Sequence, residues 1–268
     1  MATGIKAQLP TNISLDGLQR LASDSDWGWQ FKYNGDRRTV KKEAGHVQDF
    51  NRDGAPGKGL PQRIVDALLN HPLPQFLIDV EFVHFGRHDT IYVFDSLILG
   101  DEFVAVEPFE YREARYHAEF DNYASCIVPV FTARTPEEKT RMFVQAAQDG
   151  IEGIVAHKMS AAYEEGRSTN VFKFKFIKQL DAVCMGDDPK GKDSVRLGCY
   201  DEHGKLHEIC GARIIDIHPT KGQVVEIRYN KGTKKRHVME IHIERIRDDK
   251  KPRECTLDQI VVNADFRR

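Results

Sequence analysis

The sequence has 268 residues and lacks any long apolar run. Its longest apolar stretches have the length of a strand, such as residues 91–99, and that stretch contains Asp95. A membrane-spanning helix needs roughly 20 apolar residues. Residues 1–26 also lack a charged start followed by an apolar block, so a secretory signal is not expected. We therefore expect a soluble, folded protein that does not enter a membrane.

Closely spaced cysteine pairs are absent as well. The chain has five widely spaced cysteines: Cys126, Cys184, Cys199, Cys210 and Cys255. None forms a CxxC pair, so a zinc site is not expected. The odd number and wide spacing indicate reduced thiols in a cytoplasm-like compartment.

Neither charge sign is in large excess. The sequence has 39 Lys and Arg against 41 Asp and Glu, a net charge of −2. Proteins that act on nucleic acids are often more basic, but the placement of charge matters more than its total. The C-terminal third is the more basic part of this chain, so the charge balance does not exclude a nucleic-acid enzyme.

The hydrophobic pattern changes near Leu180, and we place a domain boundary there. Before it, helical spacing alternates with strand-like runs, which predicts an α+β domain over residues 1–180. After it come only short strands and turns, which predict a small β-barrel of about OB-fold size over residues 181–268. The predicted helices are 16–21, 60–70 and 136–149. The predicted strands are 29–33, 39–42, 76–85, 90–99, 151–157, 171–177, 194–200, 206–215, 223–229 and 237–243, with a turn at 86–89.

One turn signal lies beside a lysine of interest. Asn34-Gly35 separates two predicted strands, and this dipeptide is typical of a tight β-hairpin. Lys32 precedes it, at the end of the first strand. A single lysine before a turn is most often a solvated strand end, so Lys32 gains meaning only from the motifs that follow.

Five short motifs occur in an order that resembles the covalent nucleotidyltransferases, which include DNA ligases, RNA ligases and RNA-capping enzymes. Members of that superfamily carry KxDGxR, an acidic strand, an aromatic-Asp strand, EGxxxK and KxK. The corresponding segments here are Lys32-Tyr33-Asn34-Gly35-Asp36-Arg37, Asp79-Val80-Glu81, Val93-Phe94-Asp95, Glu152-Gly153-Ile154-Val155-Ala156-His157-Lys158 and Lys173-Phe174-Lys175.

Further segments resemble ATP-dependent DNA ligases in particular. Residues 245–250, RIRDDK, are similar to the RxRxDK motif that closes the OB domain of those enzymes. Residues 51–54, NRDG, are similar to their SRxG element, and residues 166–168, GRS, also fit. The resemblance covers residues 28–255. It implies an adenylation (nucleotidyltransferase) domain of antiparallel sheets with helices, followed by a C-terminal OB-fold. ATP is the implied cofactor, because NAD-dependent ligases have an additional N-terminal domain and zinc-binding cysteines.

The resemblance implies that the chain seals nicks in double-stranded DNA in three steps. AMP passes from ATP to Lys32 and then to the 5′-phosphate, and the 3′-hydroxyl finally displaces it. The first step needs a neutral amine, which is roughly one part in 2,500 at pH 7 for an unperturbed lysine. Desolvation and nearby cations lower a lysine pKa. We expect these cations to be Mg²⁺ (or Mn²⁺), Lys173 and Lys175.

The resemblance also implies roles for five residues around the nucleotide. Phe94 stacks on adenine, and Gln30 pairs with the adenine edge. Glu81 binds the ribose and Glu152 the metal ion, with Glu81 as a further metal ligand. Arg37 holds the nucleotide or the nick through a two-pronged contact to phosphate. Four of them have a simpler alternative: Phe94 as a core residue, and Gln30, Glu81 and Glu152 as surface groups.

The remaining implied roles concern DNA and pyrophosphate. Arg52 holds the 5′-phosphate of the nick. Three residues, Arg247, Asp249 and Lys250, orient pyrophosphate, which requires a closed and an open domain arrangement. A basic loop formed by Lys231, Lys234, Lys235 and Arg236 contacts the DNA backbone. The alternative for both groups is a solvated cluster of charges.

Other functions remain open. An RNA ligase and a capping-type guanylyltransferase are alternatives within the same superfamily. Asn34 stands where the family carries Asp, and it keeps the size of that residue but not its charge. This departure is the only support for a third alternative, a non-catalytic nick-binding relative of the ligases. No additional DNA-binding domain or encircling latch is recognised, so a minimal, monomeric ligase of bacterial or phage origin is expected. It would act in the bacterial or host cytoplasm.

Overall fold

The structure, a computed structural model, describes residues 6–84, 89–189 and 193–262. It divides into two compact units, Met1–Phe174 and Lys175–Arg268. The border between the units lies after Phe174, whereas the sequence predicted a boundary near residue 180. No described helix is both long and apolar enough to cross a membrane. The five cysteines are free and buried.

Two sheets organise the first unit. The four-stranded sheet contains β1 (Gln8–Asn12), β10 (Gly166–Lys175), β9 (Gly153–Lys158) and β2 (Trp27–Lys32), in that order. The six-stranded sheet has the order β4 (His46–Asn51), β3 (Asp36–Glu43), β5 (Phe76–Val83), β6 (Thr90–Leu99) and β7 (Glu102–Phe103), with β8 (Ile127–Pro129) beside β6. Strand β1 runs parallel to β10, and β8 runs parallel to β6. The pairs β2–β9, β3–β4, β3–β5 and β5–β6 are antiparallel.

The hairpin predicted at Asn34-Gly35 is wrong. Strand β2 pairs with β9, whereas β3 pairs with β4 and β5, so the chain passes here from one sheet to the other. Gly35 does not have the positive φ that a type I′ turn requires. It is needed for close approach instead, because a Cβ at this position would lie 2.2 Å from the carbonyl oxygen of Phe82.

Four α-helices occur among the described residues. They are α1 (Leu15–Ala22), α2 (Gln62–Asn70), α3 (Phe109–Phe120) and α4 (Pro136–Gln148). The Ser14 side chain caps α1, and Thr135 with Glu138 forms a capping box on α4. The sequence predicted α1, α2 and α4 to within a few residues but missed α3, β1, β4, β7 and β8. In the second unit it missed the strands Lys178–Asp187 and Lys231–Gly232. The predicted turn at 86–89 lies mostly outside the described residues.

The core of the first unit lies between the six-stranded sheet and helices α2 and α3. Ile64 and Leu68 of α2 and Phe120 of α3 pack against buried sheet residues such as Val40 and Ile78. Helix α3 escaped prediction because its buried face contains Arg112 and Glu113, which interrupt the apolar pattern. This packing fixes the six-stranded sheet, one wall of the candidate site.

The second unit is built on a five-stranded antiparallel sheet. Its order is β13 (Leu206–Arg213), β12 (Ser194–Tyr200), β11 (Lys178–Asp187), β14 (Val224–Tyr229) and β17 (His242–Ile246). A two-stranded ladder joins β15 (Lys231–Gly232) to β16 (Val238–Met239). The single strand predicted over 237–243 is wrong, since Glu240 takes a positive φ of 52° between β16 and β17. This unit has its own apolar core, with residues such as Leu197 and Ile227. Mixed α+β architecture with antiparallel sheets and few helices, as expected, is confirmed.

Candidate active site

A cavity of about 470 Å³ lies in the first unit, lined by residues of both sheets. Strands β2, β9 and β10 contribute from the four-stranded sheet, and β3, β5 and β6 contribute from the six-stranded sheet. Seven of the predicted site residues line it: Gln30, Lys32, Arg37, Arg52, Glu81, Phe94 and Lys173. The fold thus brings together side chains that are up to 143 positions apart, Gln30 and Lys173 being the extremes.

Lys32 lies between two carboxylates. It ends β2 opposite Gly153 of β9, and its Nζ donates to Oε2 of Glu152 at 2.8 Å. Glu152 is only 5 % exposed, so this is a largely buried ion pair. Glu81 is close enough for its charge to interact with that of Lys32. The environment of Lys32 is therefore more acidic than the sequence predicted.

The carboxyl group of Glu81 has a raised pKa. Its Oε1 accepts a hydrogen bond from the backbone N–H of Gly35 at 2.8 Å. Burial raises the pKa of Glu81 to about 6, against the opposing effects of Lys32, the Gly35 N–H and Arg37. Near neutral pH the carboxyl is mostly ionised, which is the form that binds a cation or a ribose hydroxyl.

The two lysines of the KxK motif have different surroundings. Lys173 lines the cavity, on the strand β10. Lys175 belongs to the second unit, where its Nζ donates to Oε2 of Glu240 at 2.8 Å. Only Lys173 is therefore placed in the cavity by the geometry of the first unit.

The donor set around Lys32 fits a metal ion that arrives with a ligand. No group of three His, Cys, Asp or Glu side chains able to hold a metal occurs in the part of the chain that the structure describes. Mg²⁺ commonly takes one or two protein carboxylates and completes its shell with phosphate oxygens and water. Glu81 and Glu152 would be those carboxylates, and the bound Mg²⁺ would offset phosphate charge.

Arg37 is held by a buried aspartate that the sequence analysis did not single out. Its Nε and Nη2 donate to the two carboxylate oxygens of Asp79 at 2.9 and 2.6 Å. The hydroxyl of Tyr163 donates to Asp79 Oδ2 at 2.8 Å. The guanidinium lies 4.8 Å from the ring centroid of Phe94. The Nε and Nη2 atoms of Arg37 thus bind Asp79 and not phosphate. Arg37 and Phe94 are neighbours on the cavity wall. Asp79 and Glu81 share one face of β5, which was the available signal.

Gln30 is buried, so the alternative of a surface side chain is wrong. It is 2 % exposed, and its Nε2 donates to the Tyr116 hydroxyl at 3.1 Å and to Thr132 Oγ1 at 3.0 Å. Both amide protons are therefore used inside the protein. The carbonyl oxygen of Gln30 is the polar atom left to meet a ligand in the cavity, and it can only accept a hydrogen bond.

His157 is a cavity residue that the motif comparison missed. Counted strictly from Glu152, the lysine of EGxxxK corresponds to position 157, and Lys158 lies one residue later. Side chains alternate along β9, so His157 shares the face of Val155 and both line the cavity. Lys158 is on the opposite face. The signal was the residue count within the motif.

The residues of the first unit that the sequence predicted to face DNA lie at the rim of the cavity. Arg52 is exposed, and its Nε lies 3.8 Å from Asp53. Asn51 holds this loop, because its Oδ1 accepts from the N–H groups of Asp53 and Ala55 at 3.0 Å each. Asn34 is half-buried and, unlike its neighbours Tyr33 and Gly35, does not line the cavity.

The C-terminal motif forms a compact ion cluster within the second unit. Arg247 donates to Asp249 at 2.8 and 2.7 Å and also contacts Asp181 and Glu226. Lys250 forms an ion pair with Asp181 as well. The hydrogen bonds from Arg247 lower the pKa of Asp249 to about 2. Arg247 and Lys250 are thus ordered by buried Asp181 and are not independent solvated charges.

The basic loop is only partly available for an external ligand. Arg236 adopts a positive φ of 59°, and its Nη1 donates to the carbonyl oxygens of Ile260 and Leu257 at 2.9 and 3.4 Å. Lys234 and Lys235 are exposed, while Lys231 is half-buried in β15. Arg236 therefore fixes the C-terminal segment in addition to any role toward DNA.

Part of the chain is similar to a known protein family. Residues 87–175 match the family model described as the ATP dependent DNA ligase domain. The resemblance to ATP-dependent DNA ligases found in the sequence motifs is thereby confirmed.

Two curated proteins are similar to parts of the chain. DNA ligase C1 of Mycolicibacterium smegmatis is 31 % identical over 123 residues, which cover 44 % of this chain and 35 % of that protein. The multifunctional non-homologous end joining protein LigD of Pseudomonas aeruginosa is 26 % identical over 232 residues, covering 76 % of this chain and 28 % of that protein. The chain spans about a third of the length of these curated relatives.

A solved structure shares the fold over nearly the whole chain. The ligase domain from M. tuberculosis LigD superposes with a TM-score of 0.57 at 18 % identity, covering 94 % of this chain and 98 % of that domain. At this identity the likeness shows the shared fold.

Proposed function

We propose that the chain is an ATP-dependent DNA ligase that seals nicks in duplex DNA through an adenylate on Lys32. The observation that supports this most directly is the placement of Lys32. Lys32 is the last residue of β2 and lines the cavity, and its amine lies 2.8 Å from buried Glu152. The side chains of Glu81, Arg37, Phe94 and Lys173 line the same cavity. A reactive amine, two carboxylates and phosphate-binding cations are the groups that adenylate transfer needs.

The chain's own residues account for the first step. The Lys32 ammonium gives a proton to solvent water, and the neutral amine attacks the α-phosphate of ATP. An N–P bond forms while the P–O bond to pyrophosphate breaks, and pyrophosphate leaves. Glu152 orients the amine through the contact at 2.8 Å. Lys173 offsets the charge that develops on the phosphate. Glu81 and Glu152 would hold Mg²⁺, which neutralises the charge of the leaving pyrophosphate.

The geometry around Gln30 favours ATP over GTP. The Gln30 carbonyl oxygen is a hydrogen-bond acceptor, because both amide protons go to Tyr116 and Thr132. Adenine presents an amino group that can donate to this oxygen, whereas the corresponding carbonyl oxygen of guanine would repel it. Phe94 offers an aromatic surface for stacking on the base.

The second unit completes the proposal as an OB-fold domain. Arg247, Asp249 and Lys250 would orient pyrophosphate during the first step, and Lys231, Lys234, Lys235 and Arg236 would contact the DNA backbone. Arg52, at the rim of the cavity, would hold the 5′-phosphate of the nick through its guanidinium. Orientation of pyrophosphate requires the closed arrangement of the two domains, and contact with DNA requires the open arrangement.

The test is covalent self-labelling. The purified chain is incubated with ATP radiolabelled on the α-phosphate and Mg²⁺, then resolved under denaturing conditions. We expect the parent and a Lys41→Arg control to retain label, and Lys32→Arg to retain none because its guanidinium stays protonated. Label on the Lys32→Arg protein equal to that on the parent would contradict the proposal.

Two further arms separate the alternatives. Labelling with GTP instead of ATP would indicate a capping-type guanylyltransferase, and sealing of nicked RNA but not nicked DNA would indicate an RNA ligase. Asn34 favours a non-catalytic nick-binding relative, since the missing charge affects the later steps. Such a relative would bind nicked duplex and retain no label.

A further inference from the structure

His157 has the properties of a ligand-contacting side chain that the proposed function does not use. It is 5 % exposed and lines the cavity. Its ring stacks on Phe109 at 4.3 Å between centroids and an angle of 11°. Its Nε2 is buried and has no hydrogen-bond partner among the described residues. A buried nitrogen without a partner is costly, and a ligand in the cavity that His157 lines could supply that partner.

The charge state of His157 indicates which part of a ligand it meets. Burial, together with the positive charges of Arg112 and Arg37, lowers the pKa of His157 to about 3. The ring is therefore neutral at physiological pH. A neutral imidazole beside two arginines is suited to a neutral polar group, whereas phosphate would be held by the arginines or lysines themselves.

The strand register indicates that the base is the part of a bound nucleotide that His157 meets. Lys32 lies opposite Gly153, Gln30 opposite Val155 and Gly28 opposite His157. Four residues of an extended strand span about 13 Å, so His157 is that far along β9 from the nucleophile's position. Gln30 and Val155 lie between them. A nucleotide with its α-phosphate at Lys32 and its base beside Gln30 would extend the edge of the base toward His157.

We propose that His157 is a specificity-determining residue that donates its Nε2–H to a ring nitrogen of the bound adenine. This rests on the proposed binding of ATP in the same cavity. Gln30 accepts from the amino group and His157 donates to a ring nitrogen, so the pair reads one donor and one acceptor of the base. Lysine, the residue that the EGxxxK pattern carries at this position, would bring a third cation next to Arg37 and Arg112.

The experiment measures the initial rate of Lys32 labelling against ATP concentration for the parent and for His157→Phe. Phenylalanine keeps the stacking on Phe109 and removes both ring nitrogens. We expect the KM for ATP to rise about threefold to tenfold, as for the loss of one hydrogen bond, with kcat little changed. His157→Gln, which returns an N–H donor, should recover part of this loss. His46→Phe alters an exposed histidine on β4 and serves as the matched control.

Analogues of ATP that lack one ring nitrogen identify the contact. The 1-deaza, 3-deaza and 7-deaza forms are compared in the parent and in His157→Phe. With the parent, one analogue should show a KM raised by the same threefold to tenfold factor, because it lacks the ring nitrogen that His157 contacts. With His157→Phe, the same analogue should show no further rise of KM, because the contact is already missing. Equal KM values for parent and variant, or no weakened analogue in the parent, would overturn the role of His157 while labelling of Lys32 leaves the proposed function intact. A parent that takes no label from ATP would overturn both.

Discussion

At the scale of single residues, the cavity contains a carboxyl group that costs the protein stability. Glu81 is ordered by the Gly35 N–H, but its burial raises its pKa from the ordinary 4.5 to about 6. Between these two pH values the folded state binds more protons at this site than the unfolded state does. The contribution of Glu81 to stability therefore falls as the pH rises from 4.5 through 6, and stays low above it.

Replacing Glu81 by glutamine should remove this cost. A pKa difference of this size corresponds to about 2 kcal/mol, so Glu81→Gln should be more stable than the parent by about 1–2 kcal/mol at pH 8. At pH 4 the two proteins should be equally stable, because Glu81 is then protonated. Urea unfolding at both pH values measures the difference. Glu110→Gln, at an exposed position of α3, is the control and should change little. A loss of stability at pH 8 would contradict the assignment of burial as the dominant effect.

Sequence motifs located several residues of the cavity but not the residues that hold them. Lys32, Glu81, Phe94 and Lys173 are recognisable because the spacing within each short motif is local. Their partners depend on pairs of strands far apart in the chain, and no local pattern gives those pairs. The contact of Tyr163 with Asp79 joins two residues 84 positions apart, and it was therefore invisible in the sequence.

At the scale of secondary structure, helix α3 is docked on strand β6 by a buried ion pair. The Nε and Nη2 atoms of Arg112 donate to the two carboxylate oxygens of Asp95 at 2.7 and 2.9 Å. Nη1 donates to the carbonyl oxygens of Glu107 and Ala161. Arg112 and Asp95 are each 1 % exposed, so their ion pair is protected from water. Asp95 also lines the cavity, which links the docking of α3 to the site.

Removing the charge of Arg112 should therefore destabilise the protein strongly. Arg112→Met leaves Asp95 buried without its cationic partner, and this typically costs about 3–5 kcal/mol. Arg115→Met changes a more exposed arginine on the same helix and should cost at most about 1 kcal/mol. Chemical unfolding at pH 7.5 gives both values. Similar small effects for the two variants would show that the Arg112–Asp95 pair does not hold α3 in place.

The elements that the sequence predicted well are those with a nearly continuous apolar run or a clear cap. Strand β6 and helix α4 are examples, and α4 also begins with proline after Thr135. The failures have physical causes in tertiary structure. Buried Arg112 broke the period of α3, and the Asn34-Gly35 pair carried the chain between two sheets instead of closing a hairpin.

At the scale of the whole molecule, each of the two units has its own core and its own polar cluster. Every residue that lines the cavity lies between Gln8 and Lys173, within the first unit. The ion cluster of Arg247, Asp249, Lys250 and Asp181 lies within the second unit. The proposed binding of ATP and its proposed reaction are therefore separable in principle. The first unit has the cavity, and the second has the groups proposed to orient pyrophosphate.

A fragment ending at Ile177 tests this division and keeps β10 whole. We expect residues 1–177 to unfold cooperatively and to bind ATP with the affinity of the full chain, measured by calorimetry. Its rate of Lys32 labelling should fall about tenfold or more, because the charges that stabilise the leaving pyrophosphate are missing. The full chain with Arg247→Ala provides the matched comparison and should lose labelling while it retains ATP binding. A folded fragment that no longer binds ATP would show that the second unit contributes to the nucleotide site. A fragment that labels as fast as the full chain would remove the proposed role of Arg247 and its neighbours.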